Sequence, residues 1–185
     1  MPASVILKID KAGSVVEQIK QMAGAQVLVG IPQGKTERKP EEGEHGPMTN
    51  ATLGYIHEFG SPAANIPARP FLIPGIKDAK KQITERLEKA LQQALAGDSQ
   101  GADRQLSAVG LVAQNSVKAK ISEGDFEPLS DATLRARAAR GRKGAKAELA
   151  SRAAGNPPNN ENARPLIDTG QLRASIAFVV RKGST

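Results

Sequence analysis

His45 and His57 are the only imidazoles in this 185-residue chain, and there is no cysteine. Thiolate metal sites, cysteine nucleophiles and disulfides are excluded together. His57-Glu58 opens like a zinc-protease helix, but no second histidine follows at the required spacing, and a catalytic zinc takes about three protein ligands. The pair reads instead as a capping or interface pair on a short helix. Asp168-Thr169 sets a hydroxyl beside a carboxylate; with no inferable histidine partner, it reads as a turn or helix cap rather than a nucleophile. Neither GxxxxGK[ST] nor a strand-bound GxGxxG occurs, so nucleotide binding has no motif. No cofactor or metal is expected. The chain reads as a non-enzyme, and a hydrolase would have to rest on His57 alone.

Charge offers a different chemistry. The formal net charge is +7 and the pI about 9.8. Most of the excess is regional: between Asp131 and Arg152 stand Arg135, Arg137, Arg140, Arg142, Lys143, Lys146 and Arg152, against Asp131 and Glu148 alone. Three readings stay open, namely a solvated helical face, contact with DNA phosphates, and an acidic protein partner. If DNA is met, Arg135, Arg137, Arg140, Arg142, Lys143 and Lys146 are the DNA-facing candidates. Such contact would be blind to sequence, since nothing marks a reading helix.

The elements that must position these residues follow from apolar spacing. With aromatics at only 3%, the core has to come from Val, Ile, Leu and Ala, which suits helices on a modest sheet. Ser4 to Ile9 alternates like a strand, Val15, Val16, Ile19 and Met22 keep helical spacing up to Gly24, and Ala25 to Ile31 alternates again. Gln33 to Asn50 is Gly, Pro, Lys and Glu rich with almost nothing to bury, and reads as an exposed loop. Asn50 is placed to cap a helix carrying Leu53, Ile56 and Phe59. After Pro74, one stripe of Ile76, Ala79, Ile83, Leu87, Ala90, Leu91 and Ala94 predicts a long helix. A second runs from about Ala102 to Ile121, so the two form a hairpin.

Ser130 or Asp131 begins a further helix, weakened by Gly141 and Gly144. Asn156 to Arg164, NPPNNENAR, reads as a polar linker without core potential. Ile176, Phe178 and Val180 then share one face of a terminal strand. The expected fold is α+β: a small, mostly antiparallel sheet packed with a long helical hairpin. It forms a single domain over 1–185, with an exposed loop at 33–50 and a basic helical and linker elaboration at 131–164. No apolar run reaches the roughly twenty residues that span a bilayer and no signal segment is evident, so a soluble, unprocessed chain without membrane contact is expected.

The least generic stretch is Tyr55 to Ile76, YIHEFGSPAANIPARPFLIPGI. Each proline fixes its own φ and pushes the preceding residue toward extended backbone. A stiff corner results, presenting Ile66, Phe71 and Leu72 for burial and holding Arg69 in one direction. It is either a packed surface loop or an assembly contact in which Arg69 and Phe71 meet a neighbouring subunit, as Arg and aromatic residues do at interface centres. On the second reading, Arg69→Ala or Phe71→Ala would leave the monomer soluble and weaken assembly.

YIHEFG at Tyr55–Gly60, IPARPFL at Ile66–Leu72 with its following proline and long helix, and PLIDTGQLRASI at Pro165–Ile176 together resemble the tail-completion, or neck, family of long-tailed double-stranded-DNA bacteriophages. The resemblance implies an α/β subunit assembled into a ring, commonly a hexamer, around the DNA channel where head joins tail, with no enzymatic activity. By similarity, Arg69, Pro70 and Phe71 carry the family's Pro-rich turn, and Asp168, Thr169, Gly170 and Leu172 carry the second motif. Candidate interface residues are therefore Tyr55, Glu58, Phe59, Arg69, Pro70, Phe71, Asp168, Thr169 and Leu172. The implied partners are further copies of the chain, other neck, connector, tail-terminator or tail-tube proteins, and genomic DNA in passing. The implied location is the virion, with the host cytoplasm during assembly. Residues 131 to 164 look like an addition to the family's minimal pattern. The alternative from another class is a sequence-independent nucleic-acid-binding protein.

Overall fold

The computed structural model describes residues 12–40 and 48–182, and the alternating Ser4–Ile9 segment lies outside them. In chain order, the elements are helix α1 (Ala12–Ala23), strand β1 (Gln26–Gly30), α2 (Asn50–Phe59), α3 (Leu72–Asp78), α4 (Lys80–Leu95), α5 (Ser99–Glu123), α6 (Asp131–Ala139), α7 (Lys143–Ala153), α8 (Gln171–Ser175) and β2 (Ala177–Arg181). The fold is α+β, helix-rich, with β1 and β2 paired as a two-stranded antiparallel sheet. Ile176 is buried, Phe178 and Val180 are half-buried and Val179 is exposed, the alternation that the sequence predicts.

The chain divides into two compact units whose boundaries fall within β1, between α3 and α4, within α5 and within β2. The first comprises Met1–Leu28, Lys80–Val112 and Val179–Thr185; the second comprises Val29–Ala79 and Ala113–Phe178.

In the first unit α1 packs on α4. Its core is small, with Ala90, Ala94, Ala102, Leu106 and Val109 buried. α4 and α5 fold back on each other, so that Arg86 Nη1 donates to Gln105 Oε1 at 3.2 Å. The turn between them is tight: Gly97 takes φ +83° and Asp98 Oδ1 accepts from Gly101 N–H at 2.8 Å, capping α5.

The second unit holds the aromatic core. Phe71, Val117, Ile121, Phe126, Leu166, Leu172 and Ile176 form one cluster, and Leu129, Leu134, Ala145 and Ala163 form another. α3 lies against the C-terminal half of α5 at Gly75, where an added Cβ would sit 2.8 Å from Val117 Cα. Ser116 Oγ donates to Gly75 O there at 2.6 Å. A glycine is required by this approach of two backbones.

Three local expectations are corrected. The single helix predicted after Pro74 is two, because the chain leaves helical geometry at buried Ala79 (ψ 1°); α3 also starts earlier, at Leu72, since a proline in a helix's first turn has no intrahelical N–H partner to lose. Thr49, not Asn50, caps α2, its hydroxyl accepting from Thr52 N–H at 3.1 Å. Asn50 is instead buried, and its amide donates to Lys35 O (3.3 Å) and Glu37 O (3.1 Å). The start of the 33–50 segment is therefore tied down by a polar side chain, which a search for apolar anchors misses.

Candidate functional site

The N-terminus of α3 organises the Pro-rich corner. A helix leaves its first N–H groups without partners. Here Glu58, brought across from α2, accepts from Phe71 N–H and Leu72 N–H at 2.8 Å each through Oε2, and from Ile73 N–H at 3.0 Å through Oε1. Pro74 has no N–H, and Gly75 N–H already reaches Phe71 O. One buried carboxylate thus completes the helix start, and its charge lies at the positive end of the helix dipole.

The neighbouring residues follow from this cap. Arg69 N–H donates to His57 O at 2.6 Å, and Gly60, at φ +78°, turns the chain where an added Cβ would lie 3.0 Å from Ala68 N. Phe71 is 2% exposed. Around Gly54 of α2, an added Cβ would stand 3.0 Å from Ile31 Cδ1, 3.6 Å from Leu172 Cδ1 and 3.7 Å from Phe71 Cζ. The three sequence stretches that were singled out, 55–60, 66–72 and 165–176, therefore meet in one core.

Meeting there removes several of them from the surface. Glu58, Arg69, Phe71 and Leu172 are all buried, and Pro70 is exposed. The expected contact of Arg69 and Phe71 with a neighbouring subunit is corrected on this point: Phe71 fills the core, and the Arg69 guanidinium donates from Nε and Nη2 to Glu127 O, each at 3.2 Å. The exposed members are Tyr55 and Phe59, at 67% and 59%, one turn apart on α2 with ring centroids 4.8 Å apart. Ile73, also exposed, joins them around an apolar cleft of about 240 Å³ shared with Gly54, Glu58 and Phe71.

The basic segment is a second construction, and it too is corrected. α6 and α7 pack as a hairpin that breaks at Gly141 (φ +81°), with Ser130 Oγ capping α6 through Thr133 N–H. Asp168 caps no helix. It accepts from Arg140 Nη2 at 3.0 Å and Arg142 Nε at 2.8 Å, with Arg137 Nε 3.8 Å away. Burial works against its charged form, but the three arginines outweigh it and hold its carboxyl below the usual range. Arg137 also donates to the carbonyls of Arg164, Pro165 and Ile167. Exposed Thr169 accepts from Gln171, whose amide in turn bridges to the Lys39 backbone.

Thus Arg137, Arg140 and Arg142, three of the six DNA-facing candidates, are engaged within the subunit, while Arg135, Lys143 and Lys146 are exposed.

The NPPNNENAR stretch is not a free linker. Glu148, fully buried, accepts from Asn159 N–H (3.1 Å), Asn162 Nδ2 (3.1 Å) and Arg152 Nε (3.0 Å). Burial alone would raise its carboxyl; these bonds and the Arg152 charge hold it below the usual range. Gly144 lets Asn162 O approach α7 so closely that no Cβ would fit. Sequence reasoning missed Glu148 and Gly144; the available signal was a lone acid four residues before Arg152 in an otherwise basic run.

Among the described residues no helix is long and apolar enough to cross a membrane, and no cluster of His, Asp and Glu could hold a metal ion.

No family model matches the chain, and no solved structure matches it. A 46-residue stretch, 25% of this chain, is 41% identical to the Uncharacterized protein MJ0331 of Methanocaldococcus jannaschii. The match spans about a third of that relative's length, 34%.

Proposed function

We propose that the chain is a non-catalytic structural subunit of a phage neck or tail end, assembling with further copies into a ring that joins tail to head. The observation that carries this reading is the Tyr55–Phe59 pair: two large aromatic side chains, each more than half exposed, on a helix fixed in place through Glu58. Aromatic residues left in solvent beside an apolar cleft mark an interaction surface. The resemblance of 55–60, 66–72 and 165–176 to the tail-completion family suggests the kind of assembly. On this reading the subunit ends in the virion and meets other neck or tail proteins.

Native mass measurement of the purified chain, and its recovery with intact tails, test the proposal. A ring-sized species supports it; a strict monomer that never sediments with tails or capsids removes it.

Sequence-blind duplex binding is the weaker alternative, because Arg137, Arg140, Arg142 and Arg152 already serve acceptors within the chain. Salt-dependent duplex binding, abolished by replacing Arg135, Lys143 and Lys146 with Ala, would reinstate it.

A further inference from the structure

The second unit contains a polar cleft of about 540 Å³ that the assembly reading does not use. His57, Asn65, Arg69, Thr133 and Arg137 line it. Its walls are apolar and stiff, from Ile66, Leu129 and four prolines, Pro62, Pro67, Pro128 and Pro165.

Two observations point to an anion as the ligand. First, Arg69 is 7% exposed, yet among the described residues it forms no ion pair; its guanidinium donates to the neutral carbonyl of Glu127. Burial weakens its hold on its proton, and the Glu127 carboxylate, itself exposed, only partly offsets this. A buried charge without a counter-ion is unfavourable, so a carboxylate at this position would be stabilising. Second, His57 Nδ1 is buried with no hydrogen-bond partner, and burial, Arg69 and Arg137 together depress the ring to about 4. It is neutral at pH 7 in a field of positive sign.

We infer that this cleft is a docking site for a carboxylate side chain on an extended acidic segment of a protein partner, received by the Arg69 guanidinium, with Arg137, already bonded within the subunit, adding positive charge at the wall. Guanidinium forks match planar carboxylates, and the proline walls suit an extended chain. A nucleic-acid backbone fits less well, since it needs a run of exposed cations, and exposed Arg135, Lys143 and Lys146 do not line the cleft. The inference needs only the single subunit, so it stands or falls independently of ring assembly.

The test is a titration of the ¹⁵N-labelled full chain with an acetylated, amidated Asp/Glu hexapeptide, its Asn/Gln counterpart, inorganic phosphate and a short duplex. The acidic peptide should shift the Arg69 and Arg137 Nε–H signals and the His57 ring, and raise the His57 titration midpoint. The neutral peptide should bind at least about tenfold more weakly, and added salt should weaken the acidic one. Arg69→Gln, checked for folding by circular dichroism, should lose the response, and Arg69→Lys should keep part of it. Because the mapping uses the unaltered protein, an unfolded variant does not rescue the idea. It is overturned by no acidic-peptide response at these three side chains, by equal binding of both peptides, or by a phosphate or duplex response that exceeds the peptide's.

Discussion

The Pro-rich corner and the basic hairpin both contain arginines and a buried carboxylate, but they are ordered in different ways. At the corner, prolines restrict the backbone and Glu58 satisfies main-chain donors at one helix start. Order there rests on geometry, and it leaves Tyr55 and Phe59 to solvent. In the hairpin, Asp168 and Glu148 each gather several side chains, and the segment from Asn159 to Arg164 is held by those ionic and amide contacts. Charge that looks like a ligand surface in the sequence is, in large part, the internal fastening of the hairpin. A charge run is evidence of a partner only after its internal acceptors have been found.

Substitutions can sharpen that contrast. The largest losses are expected at the corner. Phe71→Ala should destabilise the subunit by about 3–5 kcal/mol in urea unfolding, against the solubility expected had Phe71 been a surface anchor. Glu58→Ala, which strands three helix N–H donors, should cost about 3 kcal/mol or more.

The hairpin should yield next, and with a dependence on acidity. Glu148→Ala should cost about 3 kcal/mol at neutral pH by taking the acceptor from Asn159 N–H, Asn162 Nδ2 and Arg152 Nε, Asp131 being left to pair with Arg152. Glu148 and Asp168 have folded values below their ordinary ones, so on acidification the unfolded chain takes up these protons first. Their contribution is present above the ordinary carboxylate range and is lost as pH falls through it. His57 acts in the same direction at higher pH. Depressed from 6.5 to about 4, it should withdraw up to about 3 kcal/mol between those two values. Urea midpoints measured from pH 7 to 4 should fall in the native chain and flatten in His57→Gln. Equal slopes in the two would show that burial of this ring is not what the unfolding equilibrium feels.

Smaller effects test individual contacts. Gly75→Ala should cost about 1–3 kcal/mol by pressing a methyl on Val117. Ser130→Ala should cost about 1 kcal/mol for a lost helix cap, read from the thermal midpoint.

The fold class was legible because apolar spacing announces long elements: α5 and β2 follow directly from Leu106 to Ile121 and from Ile176 to Val180. Boundaries set by polar groups were not. Asn50 looks like a cap and is a buried tether, while Asp168 looks like a cap and is an arginine acceptor. Both depend on residues far away in sequence, which no local pattern encodes. Of the candidate site, Tyr55 and Phe59 were named only through the resemblance, their exposure being hidden in a helix that also carries Leu53 and Ile56, and the burial of Arg69 and Phe71 depends on Glu127 and Leu172, more than fifty residues onward.

The central claim is that the α2 face is an assembly surface, and it is tested most directly by native mass measurement of the wild-type chain beside Tyr55→Ser and Phe59→Ser at matched concentrations. Losing such an anchor typically costs about 2 kcal/mol, roughly thirtyfold in association. The expected result is a ring-sized species for the wild type and dissociation in both variants, each still folded by circular dichroism because the two rings lie in solvent within the single subunit. The same mass for all three proteins, whether monomer or ring, would contradict it.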